Sequence, residues 1–190
     1  MSSASPVIDA RNPNAALRNY YFLRAAVAFV WVAAAFTVGA SNPVIGAVLL
    51  VVYPAWDALA NLLDAKANGG YRANRTQTVN AAVSVAAALG MLGGLAVSVN
   101  AAIGVFGVWA VLAGLFQLLT GVRRWRTYGA QWAMVLSGGQ SVLAGVFFVL
   151  MATKSAPLSI TSVAGYAGFG AFYFLVSALW LTFRRPGARR

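Results

Sequence analysis

Six apolar runs of about twenty residues each follow one another along this chain, separated by short polar breaks. They cover residues 20–40, 44–65, 76–99, 102–122, 129–152 and 162–183. A spanning helix needs about 20 apolar residues to cross the hydrocarbon layer, whereas a barrel strand needs about 10 and alternates in polarity. None of the runs alternates. A helix also satisfies its own backbone hydrogen bonds, which lipid requires. The pattern therefore predicts an all-α, polytopic membrane protein with six transmembrane helices. Composition agrees. Of 190 residues, 61% are hydrophobic and only 9% are charged, against about 25% charged in an ordinary soluble domain. A soluble globule could not cover this much apolar surface, and a disordered chain requires low hydrophobicity.

The breaks carry turn chemistry. Ser41-Asn42-Pro43, Asn68-Gly69-Gly70, Asn100 and Lys154-Ser155-Ala156-Pro157 are expected to end helices. Residues 1–17, polar with Pro6 and Pro13, read as an N-terminal tail, with a short interfacial helix at Asn14–Arg18. Residues 18–185 form the six-helix domain, and 186–190 a basic C-terminal tail. The apolar run after the N-terminal tail is too long for a signal-peptide core.

The net charge is +11, but the basic residues sit between apolar runs, as topology signals do, and not as a nucleic-acid footprint. Arg11, Arg18 and Arg24, then Lys66, Arg72 and Arg75, then Arg123, Arg124 and Arg126, and finally Arg184, Arg185, Arg189 and Arg190 all fall on one side. Lys154 stands alone on the other. The positive-inside rule then places both termini in the cytoplasm of a bacterial inner membrane. Three helix hairpins would share one orientation. The segment 104–124 lies on 165–185 without gaps, matching Gly104 to Gly165, Gly107 to Gly168, Ala110 to Ala171 and Leu118 to Leu179. Small residues at helix-contact spacing (Gly90 and Gly94; Ser137, Ser141 and Gly145; Ala110 and Gly114) favour close packing within the bundle or a homo-oligomer face.

There is no Cys, His or Glu; the carboxylates are Asp9, Asp57 and Asp64. Thiol chemistry, His-ligated metals and the Ser-His-Asp triad are excluded. No phosphate-binding Gly-rich loop is present. The expectation is a non-enzyme with no cofactor and no metal.

The pattern resembles the HdeD-like family of bacterial inner-membrane proteins. The likeness is carried by Pro43 and Pro157 after odd-numbered helices and by the stretch from Trp109 to Leu150, "WAVLAGLFQLLTGVRRWRTYGAQWAMVLSGGQSVLAGVFFVL". The last helix, "GYAGFGAFYFLVSALWLTFRR", fits as well. The resemblance covers about residues 20–185. It implies six helices and a role in acid or envelope stress tolerance, and it carries over no catalytic residue. Helix two departs from it by placing Asp57, Asn61 and Asp64 in or beside the span.

Asp57, Asn61 and Asp64 stand at i, i+4 and i+7, on one helix face. An Asp at the helix centre costs on the order of 3 kcal/mol on insertion scales, so it must be paired, hydrated or protonated. Residues at similar depth are Arg24, Gln77, Asn80, Ser84, Gln117 and Gln131. In a structural reading Arg24 pairs with Asp57 or Asp64. In a functional reading Asp57 lines a vestibule and binds a proton or cation, making the chain a small transporter or channel. A third reading makes it an assembly subunit that holds a partner helix. Pro54 leaves the Leu50 carbonyl without its usual donor and is expected to kink helix two. Tyr20, Tyr21, Trp125, Tyr128 and Trp132 read as interfacial anchors. Arg123, Arg124 and Arg126 are candidate contacts to anionic lipid head groups.

Overall fold

The computed structural model describes residues 13–127, 129–154 and 156–183, with side chains from residue 15. The expectations for Asp9, Arg11, Tyr128, Ser155 and the arginines at 184, 185, 189 and 190 lie outside those residues. Six helices account for nearly all of it: α1 (Pro13–Ala34), α2 (Pro43–Ala67), α3 (Arg75–Val97), α4 (Val99–Arg124), α5 (Gln131–Ala152) and α6 (Ile160–Phe183). All six are long and apolar enough to cross a membrane. Among the described residues there is no strand. The chain is an all-helical, multi-pass membrane protein.

The turns follow the expected chemistry. Asn42 caps α2, accepting from the Val44 and Ile45 amides at 2.9 and 3.2 Å, with Pro43 at the first helical position. Gly69 and Gly70 take φ of 99° and 93° after α2, a region closed to most side chains. Asn74 then donates to the Asn68 and Gly70 carbonyls at 2.6 and 3.1 Å, closing that loop. Ser98 alone separates α3 from α4, and its hydroxyl accepts from the Ala101 amide at 3.0 Å.

Asn100 does more than mark a turn. Its Nδ2 donates to the Lys154 and Ala156 carbonyls at 3.3 and 2.9 Å, and its Oδ1 accepts from the Leu158 amide at 2.9 Å. One side chain at the start of α4 thus ties down the α5–α6 connection. Asn100→Ala should lower stability by about 1–2 kcal/mol, the net worth of such bonds after water replaces them. A thermal midpoint unchanged from wild type would show that the connection is held without it.

Among the described residues α1 begins at Pro13, before the expected run from residue 20, and takes in the expected interfacial helix and the last residues of the expected tail; residues 1–12 of that tail lie outside the described residues. The reason is tertiary: Leu17, Tyr21 and Ala25 bury themselves against Phe174 and Ala178 of α6. Tyr21 is only 1% exposed. It is a core residue and not an interfacial anchor. At its other end α1 passes into a π-helical turn, Ala35–Gly39, of which the hydrophobic pattern gives no sign. There Gly39 comes up against Leu49, and a Cβ on Gly46 would stand 3.1 Å from the Gly39 carbonyl.

The most extensive packing joins α4 with α5, followed by α2 with α3, α1 with α6, and α3 with α4. α5 and α6 touch lightly, and α1 meets α2 mainly through the π-turn. The α4–α5 seam is built on glycine. A Cβ on Gly145 would stand 2.5 Å from the Gly107 carbonyl, and one on Gly114 would stand 2.7 Å from the Gly138 carbonyl. These glycines recur every seven residues on each helix, so two antiparallel stripes meet backbone to backbone. Of the expected small-residue pair in α3, a Cβ on Gly94 would stand 2.8 Å from the Ala102 Cα, whereas one on Gly90 would meet only the Val105 side chain. The repeat expected between α4 and α6 is not used alike: Gly107 is pressed into α5, while nothing lies within 4 Å of where a Gly168 Cβ would be.

Candidate functional site

Polar side chains inside the bundle gather toward the end that carries the arginine-bearing loops. On α2 they follow one face, through Asp57, Asn61, Asp64 and Asn68. On α3 the face carries Gln77, Asn80 and Ser84, and on α4 Trp109, Gln117, Thr120 and Arg124. Each series steps by three or four residues, apart from the eight between Trp109 and Gln117, so helical geometry aligns it. The tertiary fold brings the three faces together, with Arg24 entering from α1.

Asp57 sits about 15 Å along α2 from its arginine end, counting ten residues at 1.5 Å each. It is 7% exposed. Its Oδ1 receives Arg24 Nη2 at 2.6 Å, and its Oδ2 receives Asn61 Nδ2 and the Ser84 hydroxyl, each at 2.9 Å. Ser84 in turn accepts from the Trp109 indole at 2.9 Å. One carboxylate therefore links α1, α2, α3 and α4, and both of its oxygens are engaged. Arg24 also donates to the Tyr20 hydroxyl (3.3 Å), and its guanidinium lies 4.4 Å from the Phe174 ring centroid. Of the two pairings open to Arg24 from sequence, the structure has the one with Asp57.

Asp64 has a different partner. Arg124 Nη2 approaches its Oδ2 at 3.0 Å, and Asn68 Nδ2 donates to its Oδ1 at 2.8 Å. The Arg124 side chain is 12% exposed. This corrects the expectation that Arg124 points to lipid head groups: a buried carboxylate on a neighbouring helix holds it more strongly than interfacial water would. Arg123 donates to Thr76 at 2.7 Å from an exposed position. Arg126 is exposed and remains available at the surface. Trp125 is exposed too, in keeping with an anchor, whereas Trp132 packs edge-on against Trp180 at 5.6 Å.

Two cavities lie along this polar seam. A basin of about 180 Å³ at the arginine end is bounded by Asn68, Asn74, Arg123 and Arg124. Beneath it, a chamber of about 50 Å³ is bounded by Arg24, Asp57, Asn61, Asn80 and Gln117, among others. Gln77, Thr120 and Arg124 border both. The Gln77 amide donates to Thr120 at 3.3 Å, at the border that the two spaces share.

Beyond Asp57 the interior is closed by rings. Tyr53 packs on Trp31, Phe106 and Trp109 with centroids 4.6, 6.1 and 5.8 Å apart, and Phe106 continues to Phe148 and Tyr166 at 5.8 Å each. Pro54, fully buried, lies inside the continuous α2 about one turn from Asp57. The Trp31 indole donates to the Leu49 carbonyl at 2.9 Å, one residue from the Leu50 carbonyl expected to lose its partner.

All seven residues expected in the polar cluster (Arg24, Asp57, Asn61, Asp64, Gln77, Asn80 and Gln117) border the chamber. Gln117 makes only a weak contact, 3.9 Å to the Met134 sulfur. Gln131 turns back to the Gly129 carbonyl at 3.0 Å and leaves the cluster. Trp109, Thr120 and Tyr20 belong to the cluster without having been expected in it. Thr120 was within reach of sequence reasoning, being three residues from Gln117 on the same face. Among the described residues no group of His, Cys, Asp or Glu is placed to hold a metal ion. Compared with known families and structures, the chain matches no family model, no curated protein and no solved structure.

Proposed function

We propose that this is a non-enzymatic protein of the bacterial inner membrane, with both termini and the arginine-bearing loops in the cytoplasm. Its buried ion pairs are structural locks, not transport sites. Its role is the acid or envelope stress tolerance implied by the HdeD-like resemblance. The observation that carries the non-translocating part is Asp57: both oxygens are taken by Arg24, Asn61 and Ser84, and aromatic rings fill the interior behind it. A proton or cation carrier needs a carboxylate that can exchange partners and a polar route onward. Neither is in place. The absence of Cys, His and Glu supports the non-enzymatic reading. Thirteen of the basic residues on one side support the orientation.

Two measurements test this. Purified protein in liposomes should give no proton or cation flux above empty vesicles, and flux abolished by Asp57→Asn would replace the reading with the transporter one. A deletion strain should survive acid challenge less well than its parent, with survival restored by a plasmid copy. Unchanged survival would remove the stress role. A protein that co-purifies in fixed ratio would point to an assembly subunit.

A further inference from the structure

The chamber holds one polar group that the fold leaves without work. Asn80 is 7% exposed and borders the chamber, yet its buried Oδ1 has no hydrogen-bond partner and its Nδ2 donates to nothing among the described residues. Leaving a buried amide unpaired destabilises the fold. A leucine here would carry no such cost. Arg24, which also borders the chamber, has a buried and unpartnered Nε. Gln117, across the chamber on α4, spends its amide on a methionine sulfur alone. The walls therefore present a carboxamide with donor and acceptor ends and a second nearly idle amide.

Charge narrows what fits. The two arginines and two aspartates at the chamber pair off, Arg24 with Asp57 and Arg124 with Asp64. An anion would have to displace a carboxylate from its guanidinium, and a cation would have to displace an arginine. An uncharged guest meets neither obstacle. Size narrows it further: about 50 Å³ holds a few waters, or one solute of about four heavy atoms. We propose that the Asn80 chamber is a binding site for a small uncharged primary amide, a molecule of the urea or acetamide class. Its carbonyl and N–H pair with both ends of the Asn80 carboxamide. The guest enters from the basin by parting the Gln77–Thr120 bond. It leaves by the same path, since the rings behind Asp57 close the other end. The proposal is independent of the physiological role above and fails separately from it.

The test uses the full chain in detergent micelles with acetamide as the probe, read by saturation transfer from protein to the acetamide methyl group. Wild type should transfer saturation to acetamide, and added urea should compete it away. Acetate, of the same shape but charged, and N,N-dimethylacetamide, without N–H donors, should give no transfer. Asn80→Leu should weaken acetamide binding about tenfold, the worth of a lost pair of hydrogen bonds. Its thermal midpoint should equal or exceed that of wild type, because the unpaired amide is gone. No transfer to acetamide in wild type would mean that the chamber holds ordered water only, and would overturn the proposal. So would equal transfer in Asn80→Leu, or equal transfer to acetate. The ligand series on wild type stands whether or not the variant folds.

Discussion

Gly145→Ala should destabilise the protein by about 3 kcal/mol, the upper part of the range for forcing a methyl into a packed interior. The added Cβ would lie 2.5 Å from the Gly107 carbonyl, 2.7 Å from the Val111 amide nitrogen and 2.8 Å from the Val111 side chain. Two of these atoms are backbone of a neighbouring helix, so no side-chain rotation relieves the clash. The seam must open along its length, and α4–α5 is the most extensive helix contact in the bundle. Gly139, six residues earlier on the same helix, is the internal control. Nothing lies within 4 Å of its added Cβ, so Gly139→Ala should leave stability unchanged or slightly raised. Thermal unfolding of the two variants in one detergent checks the pair. Equal midpoints would mean that α4 and α5 do not meet through their glycines.

The second large effect belongs to the Arg24–Asp57 pair. Both side chains are almost wholly enclosed, 14% and 10% exposed. Removing one partner from such a pair leaves the other charge buried and typically costs about 3–5 kcal/mol. Asp57→Asn keeps the shape but removes the charge, and should show a large loss at neutral pH. Arg24→Met should be comparably costly, because it strands the carboxylate with Asn61 and Ser84 alone. The double variant Arg24→Met/Asp57→Leu should recover much of what either single change loses, since two opposite charges leave together. A double variant no better than the worse single one would mean that the two residues do not act as a pair. An Asp57→Asn protein as stable as wild type would show that the charge is not needed for folding, and would return Asp57 to the candidates for transport.

Part of this arrangement is legible in the amino-acid sequence. The i, i+4, i+7 spacing of Asp57, Asn61 and Asp64 places them on one face, because helix geometry fixes that without tertiary contacts. The cost of an uncompensated charge in lipid requires a partner for Asp57, and Arg24 is the cation at matching depth. The partner of Asp64 is not legible. Arg124 stands inside an arginine cluster that reads as a topology signal. Nothing in its immediate sequence separates it from Arg123, which bonds Thr76 at the surface. Which of two neighbouring arginines turns inward depends on the rotation of α4 about its axis. That rotation is set by the glycine seam with α5 and not by α4 alone.

The same division holds for the whole protein. The sequence by itself determined six spanning helices, their approximate limits, the turns at Asn42-Pro43 and Gly69-Gly70, and the one-sided placement of charge. These follow from hydrophobic length and local backbone preference, both short-range properties. The tertiary structure alone decided that α1 closes on α6, that Tyr21 is core, that a π-turn ends α1, and that Asn100 holds the distant α5–α6 connection. It alone left Asn80 facing a chamber without a partner. Within lipid, apolar surface does not choose between neighbours, so close backbone approach and a few buried polar pairs make the choice. These contacts join residues far apart in the chain.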